Sequence, residues 1–505
     1  MNLLLGIDVG TTGLKSVLFD FDGTPVAVDS RDYPTNSPGQ GGSEQDPDSW
    51  WRAAIETIGA VLQEVDPTKI AGIGICGQMH TAVLLDSNGG VIRPAITWMD
   101  QRSEGEVEKL RSDLGSDTLR RITANFPTTT YTVSHLLWLK EKEQEAFRAI
   151  DKVVLAKDYL KYRLTGEINT DYSDASGTYL LDVSNRRWSR ELLEYLGLSP
   201  DALPGLTGST EVIGEITETA SAETGLVSGT PVVAGAADQA AGALGVGSVG
   251  EGQVNSLIGT AGVVSACTET PRSDPKERVL CWAHAVPGTW QVLGVMQTAG
   301  ASLKWFRDAM SGGENDAVAD VYDRYDREAG DVPAGSEGLL FLPYLQGERT
   351  PHWDPNARGV FFGISPGHER KHFIRAIMEG VGFGIRDSLE VIEDMGVDVG
   401  ELRACGGGYR GNTWRRIVSD ITGVKLKYPD VSQGSALGAA LLAGVGTGVY
   451  PSLKEAAEEV VSVRKTVSPR PAESLPYSNL YPIYRDLYLN NRDLFGELKE
   501  AMNSA

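Results

Sequence analysis

The fold is decided by LLLGIDVGTTGLKSVLFD (3–20) read beside VNSLIGTAGVVSACTE (254–269). Each stretch is an apolar strand, a Gly-Thr-x-Gly turn and a second apolar strand. Gly10 falls on Gly259, Thr11 on Thr260, Gly13 on Gly262 and Ser16 on Ser265. A second echo keeps the same order: IGICGQM (73–79) and LRACGGGYRG (402–411) both end a strand in Cys-Gly. Two matches in one order predict a duplicated domain. The halves are expected at 1–247 and 248–505, divided by the Gly-rich run VGSVG (246–250). The copies are not equivalent, because Leu257 stands where the first copy has Asp8.

Outward from the first turn, Phe21-Asp22-Gly23 leads into a third strand, completing an antiparallel meander. Asp46-Pro47 then supplies a cap and a first-turn proline for a helix carrying Trp50, Ile55, Ile58 and Val61 at helical spacing. IAGIGIC (70–76) and PVVAGA (231–236) read as buried strands, and 103–165 as mostly helical. Tyr481, Tyr484 and Tyr488 place a capping helix in the tail, 472–503. The fold class is therefore α/β.

The chain has 505 residues, enough for two to four domains at roughly 150 residues each. With 68 acidic against 46 basic residues, its net charge of −22 repels nucleic acid and anionic lipid. An anionic ligand must then be held by local devices. The acidic excess reads as ordinary solubility, with a halophile's surface as the alternative. No apolar run approaches a membrane span, and the N-terminus reads as a strand, so a cytoplasmic location is expected. Cys76, Cys267, Cys281 and Cys405 lack metal or disulfide spacing and are expected as buried thiols.

Four elements carry candidate chemistry. Asp8, ending a strand beside the turn 10–13, suits Mg²⁺ directly or through water, while the glycines and Thr11 and Thr12 let backbone approach an anion. An ordinary hairpin is the competing reading. Gln78, Met79 and His80 follow a buried strand end, where ligands commonly bind, with a histidine satisfied within the surface or core as the competing reading. Asp238 opens an Ala/Gly-rich helix in AGAADQAAGALG (234–245). It serves either as a helix cap or as the group that accepts a substrate hydroxyl's proton during phosphoryl transfer. The Gly triplet 406–408 precedes a helix; it reads either as a tight helix entry or as bare backbone that suits adenine or phosphate. Asn412 reads as a helix cap or a ligand contact.

These elements, with EQDPDSWW (44–51), GQMH (77–80), AKDYLKYRLTGE (156–167), TDYSDASGT (170–178) and YLQGERTPHWDPNARGVFFG (344–363), resemble the FGGY-type carbohydrate kinases over nearly the whole chain. The resemblance implies two ribonuclease-H-like domains of the actin-like ATPase superfamily, closing on ATP across a central cleft. Within the family the motifs are most similar to the members that phosphorylate D-xylulose. Asp238 is then the general base, and Asp8 the residue beside Mg²⁺ and the transferring phosphate. Met79, His80, Gln78 and Gln239 join Asp238 around the sugar. Thr11, Thr12 and Lys15 border the phosphates; Gly259, Thr260, Gly300, Lys304, Gly407, Gly408 and Asn412 line the nucleotide side. Two departures stand out: Thr81 follows GQMH, and GAADQ (235–239) replaces the more usual Gly-Gly-Gly-Asp-Asn. The alternatives are a sibling kinase for ribulose, fuculose, gluconate or glycerol, a protein-partnered ATPase, and a silent sugar-binding relative. Partners are expected to be the sugar and ATP, with neither nucleic acid nor membrane. A homodimer is compatible with the resemblance, though no patch names its interface.

Overall fold

The structure, a computed structural model, describes residues 2–310, 318–431 and 433–503. Alternating Val, Leu and Ile residues drive the opening strands, and their side chains are buried on both sheet faces. Leu3–Val9 pairs antiparallel with Gly13–Asp20, which pairs antiparallel with Pro25–Asp32. On its other side Leu3–Val9 runs parallel to Ile70–Gly77, which runs parallel to Pro231–Val233. The second sheet repeats this wiring: Gln253–Ile258 and Gly262–Thr268 form the hairpin, and Trp290–Met296 is the third antiparallel strand. Glu401–Cys405 and Lys425–Pro429 add the parallel pair. The echo between the two Gly-Thr turns is thus an echo of whole sheets.

Helix Pro47–Val61 starts as its sequence predicts, with Asp46 accepting from the Asp48 amide and Trp50, Ile58 and Val61 buried. The closing helix Pro471–Asn503 buries Tyr481, Tyr484 and Tyr488. Among the described residues, no helix is long and apolar enough to cross a membrane. Cys76, Cys267 and Cys281 are buried, Cys405 is half-buried, and all four are free thiols.

One helix departs from a simple split into halves. Gly434–Gly446 belongs to the second half of the chain but lies on the first sheet. A Cβ at Gly6 would stand 2.0 Å from the Ala436 carbonyl oxygen, and one at Gly74 1.9 Å from that of Ala439. Only glycine admits so close a backbone approach. The same helix packs on Asp238–Gly245, where Gly438 meets the Ala241 carbonyl. The two helices and the sheet therefore form one layered joint.

Candidate active site

Strand pairing brings the two predicted aspartates together. Asp8 lies opposite Cys76 on one side of Ile70–Gly77, and Ala236, two residues before Asp238, lies opposite Cys76 on the other. At the usual strand spacing the backbones of Asp8 and Ala236 are about 10 Å apart, and the Asp8 charge is felt at Asp238. Burial raises the Asp8 carboxyl's pKa, opposed by Lys15 on the neighbouring strand and by a Cys76 hydrogen bond. Burial, and then the Asp8 charge, push Asp238 up to about 7. Both keep a partly accessible face. The helix cap is Ala237; Asp238 is the first helical residue, accepting at Oδ1 from the Gln239 amide at 2.7 Å. Gln239 is half-buried beside it.

The first Gly-Thr turn is clamped from behind. Gly10 N–H donates to the Gly13 carbonyl at 3.0 Å. Gln45 donates to the Thr11 carbonyl at 2.7 Å, and Trp98 Nε1 to Thr11 Oγ1 at 3.0 Å. Thr12 is exposed at the tip, and Lys15 is half-buried.

His80 is buried with φ +70°, and its Nδ1 lies 2.6 Å from the Gly177 carbonyl. Burial pushes its pKa down to about 3, so the ring is neutral. A carbonyl only accepts, so Nδ1 carries the hydrogen and Nε2 keeps a lone pair. The ring lies edge-on to Tyr131 (5.1 Å) and to Trp282 of the second half (5.4 Å). Met79 is buried beside it against Gly177. Asn125 ties this wall across the halves, donating to the Cys281 carbonyl at 2.6 Å and accepting from the Cys281 amide at 2.7 Å.

Gln78 corrects the expectation of a sugar contact. Its Nε2 donates to Gln45 Oε1 at 2.8 Å and its Oε1 accepts from Thr81 at 3.3 Å, so both polar ends are engaged inside the first half. It holds Gln45, and Gln45 holds the Thr11 turn.

A platform that the sequence reading did not assign lies beneath Asp238. Lys157 Nζ is 2.5 Å from Asp158, 3.2 Å from Asp171 and 3.4 Å from Asp174, all fully buried. Burial pulls the Lys157 pKa down, but the three carboxylates hold it above its ordinary value. Ala237 N–H donates to Ser173 Oγ at 2.9 Å, and Ser173 donates to Asp171 at 2.5 Å. Lys161 donates to the Ala234 carbonyl at 2.9 Å. The segment carrying Asp238 is thus pinned on a buried ionic network. Lys157→Met would leave buried carboxylates without their shared cation, with an expected loss of at least about 3 kcal/mol of stability. A lowered urea midpoint checks this; an unchanged one contradicts it.

On the second half a cavity of about 450 Å³ opens between the turn at Gly259–Thr260, the N-terminus of helix Gly300–Met310 and the Gly407–Gly408 segment. Such a volume suits a small organic ligand. Gly300 is obligatory there, since a Cβ would stand 2.4 Å from the Gly259 carbonyl oxygen. Lys304 lines the cavity and pairs with Asp308 at 3.0 Å. Asn412 is a second correction: it does not line this cavity, and its Oδ1 accepts from Arg415 and, at 3.1 Å, from Lys465. Nor does it cap its helix; the Asp326 carboxylate accepts from the amides of Thr413 and Trp414. Neither long-range grip leaves a local sequence signal.

Residues 3–245 match the FGGY family of carbohydrate kinases, N-terminal domain, and residues 254–447 match the C-terminal domain of the same family. The chain belongs to the FGGY carbohydrate kinases. A xylulose kinase from Bacillus subtilis (strain 168) is 36% identical, covering 99% of this chain and 99% of that protein. A gluconokinase from the same organism is 32% identical over 96% of this chain and 95% of the relative. The solved structure of a ligand-bound xylulose kinase from Lactobacillus acidophilus superposes with a TM-score of 0.92 at 30% identity, covering 99% of this chain and 100% of that one. This FGGY kinase is a phosphotransferase that uses ATP with Mg²⁺ and acts on a sugar.

The carboxylates fit the metal. Among the described residues no group of three or more His, Cys, Asp or Glu could cage an ion alone. Mg²⁺ is commonly held by one or two carboxylates together with substrate phosphates and water. Asp8, whose pKa burial raises against the opposing Lys15 charge, offers such a carboxylate beside the Gly10–Gly13 turn.

Proposed function

We propose that this kinase phosphorylates a ketopentose, D-xylulose, to D-xylulose 5-phosphate. The observation that carries the reading is the convergence of Asp8 and Asp238 on either side of one strand. His80 follows the end of that same strand, and the second half carries the cavity at Gly259–Thr260. Asp238 takes the proton from the sugar hydroxyl as its oxygen bonds to the γ-phosphorus. The bond from that phosphorus to the β,γ-bridging oxygen breaks, and ADP leaves with the electron pair. Mg²⁺ supplies charge neutralisation on the phosphates, and Asp8 is the residue that would hold it. Thr11, Thr12 and Lys15 face the phosphates, while Gly259, Thr260, Gly300, Lys304, Gly407 and Gly408 receive the nucleoside side. Met79, His80 and Gln239 join Asp238 around the sugar. His80 Nε2 accepts from a hydroxyl, which suits a neutral polyol.

A specific observation favours gluconate as the second reading. The Arg349 guanidinium, with Trp98 and Trp353 rings 5.8 and 5.7 Å away, donates no hydrogen bond to another described residue. It lies near enough to His80 and Tyr131 to influence both and feels the Glu348 charge without pairing with it, and a guanidinium in that wall with no ion pair among the described residues suits a carboxylate. A panel of D-xylulose, D-ribulose, fuculose, gluconate and glycerol with Mg-ATP decides. The expected kcat/KM for D-xylulose exceeds that for gluconate by at least about 100-fold, a discrimination a few polar contacts supply. A higher value for gluconate replaces the first reading with the second.

A further inference from the structure

A second cavity, about 480 Å³, lies behind the Gly406–Gly407 turn, at the carboxyl ends of the parallel strands Glu401–Cys405 and Lys425–Pro429. Crevices at such strand ends are the usual ligand positions in parallel α/β sheets. It is lined by Arg410, Arg415, Arg464 and Lys465 against a single carboxylate, Asp430. That concentration of positive charge stands out in a chain of net charge −22.

The cations are poorly neutralised. Arg464 meets Asp430 only at 3.6 Å, both well exposed. Arg415, 3% exposed, has no carboxylate within ion-pair distance among the described residues, Asp326 acting on it only from further off: it donates to the carbonyls of Tyr409 and Arg410 and to Asn412, and lies 4.7 Å from the Tyr428 ring. Its Nε is buried with no hydrogen-bond partner among the described residues. The exposed Arg410 lines this cavity and the nucleotide cavity alike, as does Gly407. A buried donor without an acceptor is costly, and a multivalent anion would satisfy it.

We propose that this cavity is a second anion site, taking a small phosphorylated metabolite, beside the nucleotide cavity with which it shares Arg410 and Gly407. The site is distinct from the one that carries the phosphoryl transfer, so it stands or falls separately from the identity of the sugar.

Pyrophosphate is the probe, titrated calorimetrically into the 505-residue chain already saturated with ADP, in EDTA at fixed ionic strength. One pyrophosphate per chain is expected to bind. Arg464→Glu should weaken it at least fivefold, with ADP affinity unchanged within twofold, and Arg464→Lys should restore it. Lys465→Gln, read the same way, serves if Arg464→Glu fails to fold. No pyrophosphate binding to the ADP-saturated protein, or weakening of less than fivefold in the variant, overturns the proposal.

Discussion

Asp238→Asn is expected to lose sugar phosphorylation on the order of 10³-fold while binding an ATP analogue as the wild type does. The amide keeps the side chain's shape and cannot accept the hydroxyl proton. Because the carboxyl sits near 7 in the folded protein, the wild type's kcat/KM should climb with pH through about 7, as the proton-free form takes over. The same group predicts a stability effect of opposite sense. Its unfolded pKa is about 4, so folding takes up a proton between about pH 4 and 7, and stability falls as pH rises through that window. At pH 8 Asp238→Asn should therefore be more stable than the wild type, by roughly 1–3 kcal/mol, and the gain should vanish near pH 4. Full turnover in the variant would remove Asp238 from the chemistry.

Asp8→Asn should lower turnover by about 10²–10³-fold and raise the Mg²⁺ concentration for half-maximal activity at least tenfold. Titrating activity against Mg²⁺ separates this from a folding defect, since metal-free ATP-analogue binding should hardly change. The variant also tests the coupling of the two carboxyls. The Asp8 charge helps raise the Asp238 pKa, so its removal should move the acid limb of the pH profile to lower pH. Superimposable Mg²⁺ titrations for variant and wild type would rule out the metal role.

The duplicated strand-turn-strand design was legible because strands and tight turns are specified by neighbours: Gly10 and Gly259 mark the turns whatever lies far along the chain. Asp8 and Asp238 were legible as polar residues at strand ends among small or apolar ones. What escaped depends on distant partners. Gln78 reads as a site residue until Gln45 and Thr81 occupy both ends of its amide. Asn412 reads as a ligand or cap until Asp326 takes the helix N-terminus. Lys157 and Lys161 look like solvated charges at the start of a helix, yet both are fully buried on carboxylates supplied partly by the later 171–174 segment. Trp282 and Arg349 carry no local mark of the His80 wall they join.

The helix Gly434–Gly446, seated on Gly6 and Gly74, has a consequence for biosynthesis. Every strand of the first sheet has left the ribosome once residue 237 is out, yet one face still lacks its cover. About 200 more residues must be translated first, on the order of 10–40 s at ordinary elongation speeds. Until then the nascent polypeptide displays the face of Leu3–Val9 and Ile70–Gly77 that carries Leu4, Gly6, Gly74 and Cys76, a surface for chaperones to shield. A gene truncated at the 247/248 junction should yield an aggregating fragment rather than an autonomous module.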